Sequence, residues 1–446
     1  MFSQCNVHDR IICNLGVLGK RGRLKRSVAT AACLAIMALT SSIPAQAQDT
    51  QAPGPQVLMA AGQKVRVETI PGLTFPWAIA FLPNGDALIS ERSQRTLRLL
   101  RKGKLDPTPI TGIPPVMEVK GGARGGVDVI VHPQYATNKL IYIAYNQPMD
   151  GRPDIARPVL ARARYDGGNK LTDVKDIFVS DAWNDIGATR ITFGQDGKLY
   201  MVIGTAYEYA FAKTPSEYGN SLDAQNPLKY AGKLLRLNDD GSVPQDNPFV
   251  GNPKYKPEIY AMGFRNSMGM YSEPGTGKFW LTDNGPRGGD EINIIKPGAN
   301  YGWPLVTYGR AYMYDTDGKV SNHGVPPPEQ APTHAPGMEQ PFMYWVPSPS
   351  LTAITIYKGD KFPAWKNSIL LGELKFKRAE RVTLTNQGWE NERIPMFSEI
   401  DRRIRDLKEG PDGFIYMVTD EKNGVVLKVE PADAATPVTV AAKPAN

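Results

Sequence analysis

Polar and apolar positions in this chain follow one recurring pattern: a cluster of Gly, Asn, Asp or Pro, then a short run of alternating or wholly apolar residues. Six segments carry it: FLPNGDALISER from Phe81, YATNKLIYIAYN from Tyr135, FGQDGKLYMVIG from Phe193, EPGTGKFWLTDNG from Glu273, FPAWKNSILLGEL from Phe362 and EGPDGFIYMVTDE from Glu409. This is hairpin chemistry, because Gly and Asn allow a tight turn and β-branched and aromatic residues suit a pleated surface. No long amphipathic helical period lies between the copies, which argues against alternating βαβ units. A single hairpin cannot bury its own apolar face, but several stacked around an axis can. Spacings of roughly 45 to 95 residues fit sheets of about four strands each. The pattern predicts an all-β propeller; a large β-sandwich with coincidentally similar hairpins is the alternative.

The ends break the pattern. Lys20, Arg21, Arg23, Lys25 and Arg26 precede the apolar run VATAACLAIMAL, and Ala45 and Ala47 then offer small residues for cleavage. This predicts an export signal over 1–47, and a mature chain that is periplasmic or secreted. The apolar run is too short for a stable membrane span. Cys5, Cys13 and Cys33 leave with the signal, so disulfides do not stabilise the mature chain. Residues 1–47 also hold six Lys/Arg and one Asp, so their removal takes five charges from the formal +7 and leaves +2. A nucleic-acid partner thereby loses its main support. Residues 48–65 read as a flexible lead-in, 66–431 as one propeller domain and 432–446 as a loose tail. The long spacers between Ala206 and Tyr230 and from Asn300 to Pro341 are rich in Tyr, Pro, Gly and Asn, and are expected to line a mouth on one face.

Three segments carry candidate chemistry. In YAMGFRNSMGM, Arg265 and Asn266 stand side by side and can reach one ligand only if the preceding strand has ended; an ordinary inter-blade salt bridge is the plainer reading. In LTDNGPRGGDEINIIKPGANYGWP, Gly285 and Pro286 interrupt a strand end and free backbone carbonyls, with Asp290 and Glu291 close behind. Carbonyls and carboxylates are what Ca²⁺ takes, although a tight polar turn with an exposed acidic pair has the same sequence. Lys375 in GELKFKRAERV, and Arg403 and Arg405 in EIDRRIRDLKEGPDG, add three cations, the arginines alternating so that both point the same way. Guanidinium groups on one face repel unless they share an anion. With Arg265 they suggest a pocket for a ligand bearing several carboxylates, against a merely solvated basic face.

At this point the chain resembles the soluble sugar dehydrogenases that use pyrroloquinoline quinone (PQQ). The resemblance lies in PWAIAFLPNGDALISER, GGVDVIVHPQY, GKLLRLNDDGSVPQDNPF, PEIYAMGFRNSMGM with NGPRGGDEINIIKPGANYGWP, and APGMEQPFMYW, and runs from about Val65 to about Val429. It implies a six-bladed β-propeller of four-stranded antiparallel blades. It implies that Arg265 and Asn266 contact the quinone, that Lys375, Arg403 and Arg405 bind its carboxylates and carbonyls, and that the Gly285 and Pro286 carbonyl oxygens hold Ca²⁺. A sugar or related alcohol would be oxidised, with electrons leaving to a cytochrome or quinone acceptor.

The chain departs from that family where a catalytic histidine is expected, in a short motif ending in the arginine that matches Arg190. Four residues before Arg190 stands Ile186; one inserted residue would bring Asp185 there instead. A carboxylate beside an apolar wall can be tuned towards neutrality, which makes Asp185, near Trp183, the candidate base; a turn-capping Asp is the plainer reading. His132 reads as a turn cap, and His323 and His334 as solvated loop residues. A glutamine expected before GGVDV is replaced around Ala123 and Arg124. The rival function is a cofactor-free propeller: a carbohydrate-binding protein, or a calcium-dependent hydrolase or lactonase using Asp185. No Gly-x-Ser-x-Gly elbow supports a serine hydrolase.

Overall fold

The computed structural model describes residues 54–92, 94–117, 126–184, 186–205, 221–310 and 331–439. Their strands form six antiparallel sheets, each with a core of four, and the α-helix among them is the single turn Tyr135–Asn138. Each sheet is a blade. The innermost strands of blades 1 to 6 are Pro76–Phe81, Asp128–Val131, Thr189–Phe193, Ser267–Ser272, Leu351–Ile356 and Ile404–Glu409. Each touches the next and the sixth touches the first, so the ring is closed and the sandwich alternative falls.

The six repeats are the hairpins that join the first and second strands of the six blades. In blade 3, Gly194 donates to the Lys198 carbonyl and Gly197 to the Gly194 carbonyl; blade 6 repeats this with Gly410 on Phe414 and Gly413 on Gly410. Gly197 and Gly413 hold φ of 72° and 78°, which a side chain would strain. In both hairpins a tyrosine hydroxyl anchors the turn, Tyr200 on Asp196 and Tyr416 on Asp412.

Six apolar clusters fill the six seams between blades. Trp77, Val129 and Ile143 meet between blades 1 and 2, for example, and Ile79, Ile89 and Val418 between blades 6 and 1. Second strands such as Leu199–Ile203 and Ile415–Thr419 are buried along their whole length, having a neighbouring blade on each face. This is why they read as continuous apolar runs rather than alternating ones.

Blade 6 is closed by both ends of the chain. Gln63–Leu73 pairs antiparallel with Gly424–Pro431, and Gln56–Ala60 adds a further edge strand. The described part of the segment expected to be a flexible lead-in is therefore mostly strand. The tail also departs from expectation, because Thr439 donates its backbone N–H to the Val57 carbonyl (2.8 Å) and its hydroxyl oxygen accepts from the Val57 N–H (2.7 Å). Short polar residues hid both contacts, since backbone pairing needs no apolar signature. Residues 1–47 lie outside the described residues.

Candidate active site

The proposed ligand-binding residues gather at one end of the ring, where inner strands begin and second strands finish. Arg265 and Asn266 immediately precede Ser267–Ser272, Arg403 precedes Ile404–Glu409 and Arg405 lies within it. Gly285 and Pro286 follow Phe279–Asp283, and Lys375 follows Ile369–Glu373.

Irregularities at the strand starts aim the key side chains. The pairing register shifts between Pro76 and Ala78 in blade 1 and between Ile404 and Asp406 in blade 6, which makes Trp77 and Arg405 the extra residues of two bulges. A bulge re-aims the residue it inserts. Here Arg405 Cζ lies 3.6 Å from the centroid of the Trp77 ring. Arg405 is fully buried, yet none of its three guanidinium nitrogens has a hydrogen-bond partner among the described residues. Burial, and the charges of Arg190 and Arg92, hold its pKa well below the usual arginine value. A buried cation in this state is costly unless an anion joins it.

Across the ring, one carboxylate organises the Arg265–Asn266 pair. Asp283 accepts the backbone N–H groups of Arg265 (2.8 Å) and Asn266 (2.7 Å) and the Ser267 hydroxyl (3.0 Å). Burial pushes its carboxyl up to about 6 against these bonds. Arg265 Nη1 donates to the Asn284 carbonyl at 2.9 Å, and Cζ stands 5.4 Å from the Trp303 ring centroid. Asn266 Oδ1 accepts the Ala188 N–H at 2.7 Å. The strand has indeed ended before the pair, as shared access to a ligand requires.

Gly285 permits a turn that a larger residue would not. A Cβ there would come within 2.1 Å of the Gly288 carbonyl oxygen and 2.6 Å of Gly289. Neither the Gly285 nor the Pro286 carbonyl accepts a hydrogen bond from another described residue. Glu291 sits opposite Asp283 on the neighbouring strand and accepts Asn293 Nδ2 at 3.1 Å. It is half-buried; burial, and the charges of Asp283 and Asp290, raise its carboxyl above the usual range. No group of three or more His, Cys, Asp or Glu side chains able to hold a metal occurs among the described residues, so a cation here would rely on carbonyl oxygens.

Arg403 precedes the strand, so strand alternation does not orient it. Its Nη1 donates to the Leu374 carbonyl (3.2 Å) and its Nη2 to Asp420 (3.1 Å). Lys375 is exposed, beside the ring of Phe376. The candidate base Asp185 lies outside the described residues, as do Ala123, Arg124 and His323. Ile186 packs with Trp183 and Tyr230 in an apolar seam, and Gly187 approaches Asn266 so closely that a Cβ would meet its Oδ1 at 2.9 Å. His132 is the turn cap expected, its Nδ1 accepting the Gln134 N–H at 2.9 Å; His334 is exposed. Sequence reasoning missed Trp77, Asp283, Arg92 and Asp420. The available signal was weak, a charged or aromatic residue at the strand ends of most blades.

The residues present fit a polyanionic quinone with a cation beside it. Among the described residues, Arg405 has buried donors without partners, and the Gly285 and Pro286 carbonyls accept no hydrogen bond. Comparison with known proteins gives the family. The glucose/sorbosone dehydrogenase family profile matches residues 73–428. The aldose sugar dehydrogenase YliI of Escherichia coli is 35% identical over 381 residues, covering 84% of this chain and 95% of its own. Quinoprotein glucose dehydrogenase B of Acinetobacter calcoaceticus is 26% identical over 412 residues, covering 79% and 84%. The crystal structure of the soluble aldose sugar dehydrogenase of E. coli in the apo-form superposes with a TM-score of 0.70 at 34% identity, covering 82% of this chain and all of that one. This chain belongs to the glucose/sorbosone dehydrogenase family.

Proposed function

We propose that the chain is a PQQ- and calcium-dependent dehydrogenase that oxidises a hydroxyl of a sugar or related alcohol outside the cytoplasm, and passes the electrons to a separate acceptor such as a cytochrome or a quinone. The observation that carries this is Arg405, a fully buried guanidinium whose three nitrogens have no partner among the described residues and whose Cζ stands 3.6 Å from an indole ring centroid, at the end of the ring that also carries Arg265, Asn266 and Arg403. An export signal over 1–47 and a chain without cysteine beyond it support the location. A relative named as a quinoprotein supports the cofactor.

When bound, the quinone supplies the sink for the two electrons that leave the alcohol carbon. The chain's own residues hold and orient. Arg405, Arg403 and Lys375 offer cationic donors to carboxylate and carbonyl oxygens, and Arg265 and Asn266 complete the set from the start of blade 4. The Gly285 and Pro286 carbonyls, with Glu291 nearby, would hold Ca²⁺. Asp185 takes the hydroxyl proton of the substrate, the task for which the family resemblance led us to expect histidine.

Titration of metal-stripped mature protein with PQQ and Ca²⁺, followed by quinone absorbance and melting temperature, tests the reading. The expected result is calcium-dependent binding of one quinone per chain. Absence of binding would leave a cofactor-free propeller that binds or hydrolyses sugars. Asp185→Asn is expected to abolish turnover while quinone affinity is retained; unchanged turnover removes Asp185 from the mechanism.

A further inference from the structure

Arg92 immediately follows the second strand of blade 1, Ala87–Glu91, and is 5% exposed. Its guanidinium contacts Asp420 through Nη2, and Cζ stands 4.9 Å from the Phe75 ring centroid and 5.7 Å from that of Trp77, whose ring also carries Arg405. Its Nε is buried without a partner among the described residues. Asp420, 4% exposed, gives one oxygen to Arg92 and the other to Arg403 Nη2. The backbone fixes this arrangement, with Arg92 N–H donating to the Phe75 carbonyl (2.9 Å) and Asp420 N–H to the Arg403 carbonyl (2.8 Å).

Asp420 thus bridges Arg92 and Arg403, while Arg405, on the Trp77 ring that Arg92 also approaches, bonds no described residue. Buried guanidinium nitrogens without a hydrogen-bond partner among the described residues are costly, and an anion that reaches them removes that cost. The cost is sharpest for Arg92 and Arg405, whose unpartnered nitrogens flank the same indole. We propose that Arg92 is a further anion-binding residue of the cofactor pocket, with Asp420 as the positioning carboxylate that sets Arg92 and Arg403 as a pair for a carboxylate of the ligand. This rests on the reading of the site as a quinone pocket.

The test compares wild-type and Arg92→Gln apoprotein in binding PQQ, and separately its trimethyl ester, with Ca²⁺ present, by quenching of protein fluorescence. Arg92→Gln is expected to weaken PQQ binding by about ten- to a hundredfold, the loss of a charged hydrogen bond, while the ester, lacking the carboxylate charges, binds both proteins alike. Equal PQQ affinity in the two proteins overturns the proposal. So does an equal loss for acid and ester, which marks a structural role. Should Arg92→Gln not fold, Arg92→Lys keeps the charge without the fork and is read by the same two ligands. If wild-type protein binds no PQQ, the quinone reading fails and this inference with it; wild-type binding with an unaffected variant sinks the Arg92 assignment alone.

Discussion

Arg405 concentrates the conflict between stability and ligand binding in one side chain. It is fully buried, it has no hydrogen-bond partner among the described residues, and the neighbouring cations Arg190 and Arg92 raise the cost of its charge. Replacing it with an apolar side chain of similar length removes that cost and keeps the packing on Trp77. Arg405→Met is therefore expected to stabilise the ligand-free protein by about 1–3 kcal/mol while weakening quinone binding. Urea denaturation of the ligand-free variant measures the first effect, and a loss of stability there would mean that the guanidinium is satisfied after all. Residues of this kind are where local rules break for the sake of function.

Single strands and their turns explain how such residues are aimed. In blade 5, Ile369–Glu373 runs up to Lys375, and its last residue, Glu373, is fully buried beside Glu380 on the adjoining strand. Burial, then the charge of Glu380, push the Glu373 carboxyl up, with Arg378 opposing at 2.7 Å. The folded state thus binds a proton that the unfolded chain releases near the ordinary value of 4.5. The stability this contributes is fully present below that value and is lost as the pH rises through the raised one. Melting temperatures across this range should fall with pH in the wild type. The fall should be shallower in Glu373→Gln, which cannot ionise; parallel slopes would show that Glu373 does not titrate in the fold.

For the whole molecule, the axis of the ring is tied by one arginine. Arg190 of blade 3 bonds Asp128 of blade 2 (3.2 Å), Asp406 of blade 6 (3.2 Å) and the Trp77 carbonyl of blade 1 (3.5 Å). Asp406 in turn accepts the Ile79 N–H of blade 1 at 3.1 Å. The family resemblance marks Arg190 by its distance from the position where a histidine is expected, but its visible task is to link four blades. Arg190→Met would leave two buried carboxylates without their cation and is expected to cost about 3–5 kcal/mol. Denaturant midpoints report it, and a loss below about 1 kcal/mol, typical of an exposed pair, would remove this bridge from the account of ring stability.

The order of residues is enough to specify the repeat and hence the architecture. Each hairpin is specified by its own turn residues and the apolar run after them, local information that six copies such as FGQDGKLYMVIG and EGPDGFIYMVTDE state repeatedly. It also supplied Arg265, Asn266, Gly285, Pro286, Arg403 and Arg405 as candidates, because charges and strand-breaking pairs stand out against apolar strands. What those charges meet is set by the assembly of the blades. The bulges that turn Trp77 and Arg405 towards each other, the sharing of Asp420 between Arg92 and Arg403, and the closure of blade 6 by Gln63–Leu73 join residues hundreds of positions apart. Such pairings depend on how the blades stack and on where the ring closes, and no local pattern of residues encodes either.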